Sequence, residues 1–200
     1  MRSITAVLLA FAFTAPAALL ADSIPYGNVG TVAPTSTLVA TATGNVTGYF
    51  YSASASDTDL VRMIDVTTNT TSGWFFNNQS TSVGTAQNFG SVNAGDTLVF
   101  ELENTNLSNE IFASTQSLSA DSTNHAYATA FSGGGVIPAG TYIGMEDLPN
   151  GSSDLDYNDD AFVFTNVGVG AAATPEPSSL LLLGTGILGA AGAIRRKRSV

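Results

Sequence analysis

Between residues 22 and 173, short runs of β-branched and aromatic residues are separated by stretches rich in Gly, Asn, Asp, Ser and Thr. Apolar and polar positions alternate most clearly at residues 97–103, where Leu98, Phe100 and Leu102 share one face of a strand, and no segment has the period of an amphipathic helix. The pattern predicts an all-β domain, an antiparallel, jelly-roll-like β-sandwich. The expected strands lie near Thr37–Thr43, Val46–Ser52, Leu60–Val66, Gly73–Phe76, Thr97–Glu103, His125–Phe131, Thr141–Glu146 and Ala161–Asn166. Polar loops are expected at Thr67–Ser72 and Asn77–Thr85.

The N-terminal residues have the three parts of a secretory signal peptide. Arg2 supplies the positive charge, residues 4–13 are apolar, and small residues lead up to Ala21. A retained N-terminal anchor is the alternative, but Pro16 and the small residues after it argue against an anchor. We therefore predict export, with a signal peptide at residues 1–21 and a mature domain at residues 22–170.

The predicted domain is strongly acidic and contains no cysteine. All but one of the chain's 16 acidic residues lie between residues 22 and 173, whereas Arg62 is the only one of its six basic residues in that range. Such a charge disfavours nucleic acid and anionic membranes as partners, and it suits divalent cations. Without cysteine, an exported domain must be stabilised by packing or by bound metal, and thiol catalysis and cysteine-ligated zinc are excluded.

Most residues that could carry chemistry have an ordinary structural explanation. His125 is the only histidine, and we interpret it as an exposed or hydrogen-bonded side chain on a strand. Glu101 and Glu103 share a strand face, which we interpret as the solvated outer face of a sheet and not as an acid–base pair. Trp74 and Phe76 would suit a platform for a sugar ring, but their alternate spacing favours a place in the core. We predict no enzymatic activity.

One acidic stretch, residues 144–160, remains as a candidate site. Oxygen-bearing side chains occur at every second residue along Asp154, Asp156 and Asn158, as in loops that bind hard cations. Carboxylates crowded into one loop raise one another's pKa values unless a cation neutralises them. The loop is not an EF-hand, because Asp159 stands where that motif needs Gly. The candidate calcium ligands are Glu146, Asp147, Asp154, Asp156, Asn158 and Asp159, and the alternative is an acidic surface loop with Asx turns.

The C-terminal end combines a proline-containing motif, an apolar run and a basic tail. The motif cannot continue a helix or a sheet ladder, so residues 171–179 form a predicted linker. Residues 180–194 are apolar or small and form a predicted single transmembrane helix. Cations in residues 195–200 would keep this end in the cytoplasm and the domain outside. The motif residues are Pro175, Glu176 and Pro177, and the cations are Arg195, Arg196, Lys197 and Arg198.

These C-terminal features together resemble the PEP-CTERM sorting signal of Gram-negative, exopolysaccharide-producing bacteria. The resemblance covers Pro175 to Arg198 and includes the Ser-Ser-Leu after the motif and the glycines within the apolar run. It implies that an integral-membrane exosortase recognises the motif and processes a precursor anchored in the inner membrane. The alternative is an ordinary C-terminal anchor.

The acidic stretch resembles an uncharacterised family of exported β-sandwich domains that often precede PEP-CTERM tails. In that family Glu-Asp is followed by Asp-x-Asp-Tyr-Asn-Asp and an aromatic strand, and here the matching residues are Glu146–Asp147, Asp154–Asp159 and Phe162–Phe164. Asp160 is an additional acid, and the sequence leaves open whether it points to the site or to solvent. The resemblance implies a secreted, calcium-dependent surface module with no known reaction.

Two functions are compatible with these observations. The first is a non-enzymatic protein of the cell surface or extracellular matrix, associated with exopolysaccharide and biofilm. The second is a carbohydrate-binding module or a carbohydrate-active enzyme that uses the loop carboxylates. A glycosidase holds two carboxylates on either side of a sugar bond, whereas carboxylates crowded into one loop suit a cation better, so we favour the first.

Overall fold

The computed structural model describes residues 24–170, which form two antiparallel sheets packed face to face. This arrangement confirms the predicted all-β sandwich. The predicted signal peptide (1–21), linker (171–179), membrane helix (180–194) and basic tail (195–200) lie outside the described residues. Within the described range, no helix has the length and hydropathy that crossing a membrane would require.

Residues 24–170 form eleven strands. In chain order they are β1 (Leu38–Ala40), β2 (Gly44–Ala53), β3 (Asp59–Asp65), β4 (Thr70–Thr71), β5 (Ala86–Val92), β6 (Thr97–Asn104), β7 (Glu110–Ala113), β8 (Ala126–Phe131), β9 (Gly140–Met145), β10 (Asp160–Thr165) and β11 (Val167–Val169). The first sheet has the order β11-β1-β6-β3-β4, and β7 also pairs with β6. The second sheet has the order β5-β2-β10-β9-β8. The chain therefore crosses repeatedly between the sheets, and strand ends from both meet at one end of the sandwich.

An aromatic core fills the space between the sheets. Phe100 of β6 and Phe164 of β10 are fully buried, and their ring centroids lie 4.1 Å apart. Leu98 and Leu102 belong to the same buried cluster as Phe100, which confirms the face predicted from their alternation. Burial of each such side chain stabilises the fold by about 2 kcal/mol, so this layer sets the distance between the sheets.

Besides the two-residue β4, three strands were not predicted, because their sequences lack a clear alternation. β5 lies at the edge of the second sheet, where most of its side chains are exposed and polar residues interrupt the pattern. β7 and β11 are short; β7 pairs with only the second half of β6, and β11 pairs with the three-residue β1. Neighbouring strands therefore specify these three elements more than their own residues do.

The predicted strand at Gly73–Phe76 was wrong. Phe75 makes only an isolated bridge to Val61, and Phe76 has a left-handed backbone (φ 56°) that ends the extended conformation. The predicted polar loop at Thr67–Ser72 contains the short strand β4. In this segment only the two residues of β4 therefore pair with β3 as a strand, and the chain then leaves the sheet.

The expectation of a solvated face at Glu101 was also wrong. Glu101 is 4% exposed, and Arg62, directly opposite in β3, donates from Nε to its Oε2 at 2.6 Å. The Arg62 guanidinium lies 4.3 Å from the centre of the Trp74 ring. Trp74 therefore covers an ion pair, whereas Phe76 lies in the core as expected.

Candidate metal centre

The connection between β9 and β10, residues 146–159, carries the candidate ligands at one end of the sandwich. Leu155 and Tyr157 have left-handed backbones (φ 56° and 59°), an uncommon conformation for residues with large side chains. Both side chains are buried against Tyr26 and Ala33 of the N-terminal segment. The apolar residues thus anchor the loop, and the acidic residues that alternate with them are directed elsewhere.

Tyr157 fixes the loop with polar contacts as well. Its hydroxyl accepts a hydrogen bond from the Ala33 amide at 2.7 Å and donates to the Asn124 carbonyl at 3.1 Å. Its carbonyl oxygen lies against Gly144 of β9 so closely that a Cβ there would overlap it. The loop backbone is therefore held against the second sheet at a fixed distance.

Three of the predicted ligands converge in this loop. Glu146, Asp154 and Asp156 each present a carboxylate oxygen, and these oxygens all lie within 4.8 Å of one another. Two ligands on opposite sides of a calcium ion, each at about 2.4 Å, are separated by about this distance. Among residues 24–170, no other group of three acidic or histidine residues meets this limit.

The three carboxylates differ in exposure and in hydrogen bonding. Glu146 is buried and accepts hydrogen bonds from the Ser153 hydroxyl and the Tyr157 amide, which fix its orientation. Asp154 is exposed and Asp156 is half-buried. The site therefore has one rigid, buried ligand and an open side toward solvent.

The electrostatics of the loop favour either protonation or a bound cation. Burial raises the pKa of Glu146 to about 7, against the hydrogen bonds from Ser153 and Tyr157, and the charges of Asp159 and Asp154 raise it further. Burial and the charge of Asp154 also raise the pKa of Asp156. The only Lys or Arg in residues 24–170 is Arg62, which pairs with Glu101, so no side chain of the described domain supplies the missing charge.

The other predicted ligands lie beside this group and not within it. The Asn158 amide donates to Asp156, and its side-chain oxygen accepts from the Ser54 hydroxyl. Asp147 and Asp159 are adjacent, with the Asp147 amide donating to Asp159 Oδ2 at 3.2 Å. They belong to a second cluster that also contains Asp160, whose side chain is fully buried and does not face solvent.

Sequence reasoning missed Asp57 and Asp59, which reach this second cluster from the other sheet. Asp59 is the first residue of β3 and is fully buried. Asn104 Nδ2 donates to Asp57 Oδ2 at 2.9 Å and to the Asp147 carbonyl at 3.0 Å, and so connects the two sheets. Asp57 and Asp59 have the same alternate spacing as Asp154 and Asp156, and this repeated spacing was the available signal.

Comparison with protein families assigns both parts of the chain. Residues 35–166 match the family described as "Domain of unknown function (DUF4114)". The chain belongs to the DUF4114 family. Residues 173–197 match the PEP-CTERM protein-sorting motif, which confirms the resemblance seen in the sequence. Comparison with curated proteins and with solved structures found no match.

The sorting motif determines how the DUF4114 domain is delivered. A PEP-CTERM motif implies an exported precursor that is anchored in a membrane by its C-terminal end and is recognised and processed by an exosortase. The candidate metal centre lies within the DUF4114 match, between β9 and β10. Any cation that reaches it must therefore be one present outside the cytoplasm.

The first prediction concerns Gly144, which allows the loop to approach β9. The Gly144→Ala substitution should lower the free energy of unfolding by about 1–3 kcal/mol, because the new Cβ would overlap the Tyr157 carbonyl. Gly151→Ala is the matched control in the same loop, since a Cβ there has no neighbour within 4 Å. Urea denaturation of both variants measures the difference, and equal stabilities would contradict the close approach.

The second prediction concerns pH in the presence of a chelator. The pKa of Glu146 and that of Asp159 are raised to about 7, so the folded state binds more protons than the unfolded chain at intermediate pH. The metal-free domain should therefore lose stability as the pH rises from about 5 to about 8. Glu146→Gln removes one of these titrating groups, so the free energy of unfolding should then depend less on pH. Stability that rises over this range would contradict the prediction, and denaturation at several pH values measures it.

Proposed function

We propose that the protein is a non-enzymatic component of the cell surface or extracellular matrix whose DUF4114 domain binds calcium at Glu146, Asp154 and Asp156. The observation that carries the proposal is the convergence of these three carboxylate oxygens within 4.8 Å. All three donors are hard oxygens, which calcium accepts in irregular geometry, whereas magnesium requires a near-octahedral set and retains its water. Calcium is also the cation that an exported domain meets at high concentration.

The open side of the site supports an association with extracellular polysaccharide. Asp154 is exposed and Asp156 is half-buried, so an ion held there would retain positions for ligands from outside the protein. Calcium takes six to eight oxygen ligands, and three carboxylates leave several positions free. Hydroxyl and carboxylate groups of a polysaccharide supply suitable oxygens. We infer that exopolysaccharide at the surface of a Gram-negative bacterium, as in a biofilm, is the partner.

The alternative is a carbohydrate-active enzyme, but the arrangement of the carboxylates suits that function less well. Glycosidases place a proton donor and a second carboxylate on opposite sides of a glycosidic bond. Glu146 is buried, and the oxygens of Glu146, Asp154 and Asp156 lie within 4.8 Å of one another, so they converge on one point and do not flank a bond. Incubation of the protein with its host's polysaccharide separates the alternatives, because release of reducing ends would overturn the non-enzymatic proposal.

The third prediction tests calcium binding through stability. Calcium at about 100 times its dissociation constant should stabilise the domain by about 2.7 kcal/mol and raise the melting temperature by several degrees. Asp156→Ala should reduce this shift, because it removes a ligand of this site, yet cost little in the presence of a chelator because it also removes repulsion. Glu103→Ala, which removes a carboxylate from β6, should leave the shift unchanged. A shift no larger than that caused by NaCl at equal ionic strength would sink the calcium site.

The fourth prediction tests sorting by the tail. Deletion of Pro175–Pro177 should leave export intact but prevent processing, because the exosortase no longer meets its motif. The uncut protein should then accumulate in the inner membrane. Cell fractionation and mass analysis of the C-terminus measure the outcome in a host with its own exosortase. Equal processing of the wild type and the deletion variant would show that the tail is only an anchor.

A further inference from the structure

A second group of carboxylates lies where the two sheets meet, and the candidate calcium loop does not account for it. Asp59 begins β3 in the first sheet, and Asp160 begins β10 in the second. Both side chains are fully buried, and the same side-chain amide, that of Asn78, lies within 3.5 Å of both carboxylates. We call the group the inter-sheet cluster; its members are Asp57, Asp59, Asp147, Asp159 and Asp160.

Each of the two central carboxylates has one oxygen without a hydrogen-bond partner. Asn78 Nδ2 donates to the Asp57 carbonyl and to Asp59 Oδ2, each at 3.0 Å, and lies 3.5 Å from Asp160 Oδ2. The Oδ1 atoms of Asp59 and Asp160 are buried and receive no hydrogen bond. A buried carboxylate oxygen without a partner is costly, and two of them on carboxylates that contact the same amide indicate that a positively charged or proton-donating species belongs there.

No side chain of the described domain supplies that species. Arg62 is the only Lys or Arg in residues 24–170, and it is bound to Glu101 under Trp74. His125 is paired with Asp121 at 2.9 Å. The other members of the cluster, Asp57, Asp147 and Asp159, are themselves carboxylates and bring no positive charge to this pair.

A single proton would not resolve this charge. A proton shared by Asp59 and Asp160 would satisfy one pair of oxygens, but three further carboxylates belong to the cluster, and Arg62, the only Lys or Arg of residues 24–170, is bound to Glu101. A divalent cation neutralises two carboxylates and attracts the others. Asp57 is only half-buried, which places one acidic ligand at the solvent-facing side of the cluster as a route of entry.

We propose that the inter-sheet cluster is a second divalent-cation site, in which Oδ1 of Asp59 and Oδ1 of Asp160 bind one calcium ion between the two sheets. No three carboxylates of this cluster meet the 4.8 Å limit, so this site rests on a pair and takes its other ligands from water and neighbouring oxygens. Asn78 is a positioning residue, because its amide donates to Asp59 Oδ2 and lies beside Asp160 Oδ2, which leaves both Oδ1 atoms for the ion. The ion would join the first strand residues of β3 and β10, and so clamp this end of the sandwich.

Calcium stoichiometry of the full chain, purified in detergent and freed of metal by chelation, tests the second site. Equilibrium dialysis followed by metal analysis should find two ions per wild-type chain. Asp160→Asn should bind one ion, because the isosteric amide keeps the fold but removes a charged ligand. Asp156→Ala should also bind one, and the double variant none. Glu103→Gln is the control and should bind two, since it removes a carboxylate of β6 outside both clusters.

The outcomes distinguish this site from the one in the β9–β10 loop. One ion in the wild type that survives Asp160→Asn but is lost in Asp156→Ala would overturn the second site and leave the first. One ion that is lost in Asp160→Asn but survives Asp156→Ala would support the second site and overturn the first. Absence of any bound ion would overturn both sites. If Asp160→Asn fails to fold, Asp59→Asn repeats the test from the other sheet. Unchanged binding of two ions by a folded Asp59→Asn or Asp160→Asn variant would contradict the proposal.

Discussion

Carboxylates repel one another at one end of the sandwich, where strand ends from both sheets meet. Glu146 and Asp160 are fully buried there, with other acidic residues around them and no Lys or Arg of the described domain nearby. Packing of Phe100 against Phe164 holds the sheets together and offsets the free-energy cost of burying carboxylates at this end. Neutralisation of the acidic end, by protons or by cations, therefore controls how stable the whole domain is.

Residues that are not candidate ligands determine the conformation of the loop that carries the candidate ligands. Leu155 and Tyr157 adopt left-handed backbones, which costs about 1 kcal/mol or more for each residue. Burial of their side chains against Tyr26 and Ala33 offsets that cost. Because apolar and acidic residues alternate, the same conformation that buries Leu155 and Tyr157 brings Asp154 and Asp156 toward Glu146. The N-terminal segment is thus part of the site, although it contributes no ligand.

The sequence predicts those features that depend on neighbouring residues. Alternation at Leu98, Phe100 and Leu102 was sufficient to place the core face of β6, and the alternate acids marked the β9–β10 loop. The edge strand β5 was not predicted, because its exposed polar residues interrupt the alternation of apolar and polar positions. Asp59 and Asp160 are far apart in sequence and come together only because the two sheets pack against each other. No local sequence pattern predicts such a contact. The burial of Glu101 under Arg62 and Trp74 has the same origin.

We propose that a cation completes the acidic end of the DUF4114 domain, and crystallography with calcium is the decisive test. Anomalous diffraction from crystals grown with calcium should show an ion at about 2.3–2.6 Å from carboxylate oxygens of Glu146, Asp154 and Asp156. Replacement of calcium by terbium should strengthen the same peak. Well-ordered carboxylates surrounded only by water in those crystals would contradict the account.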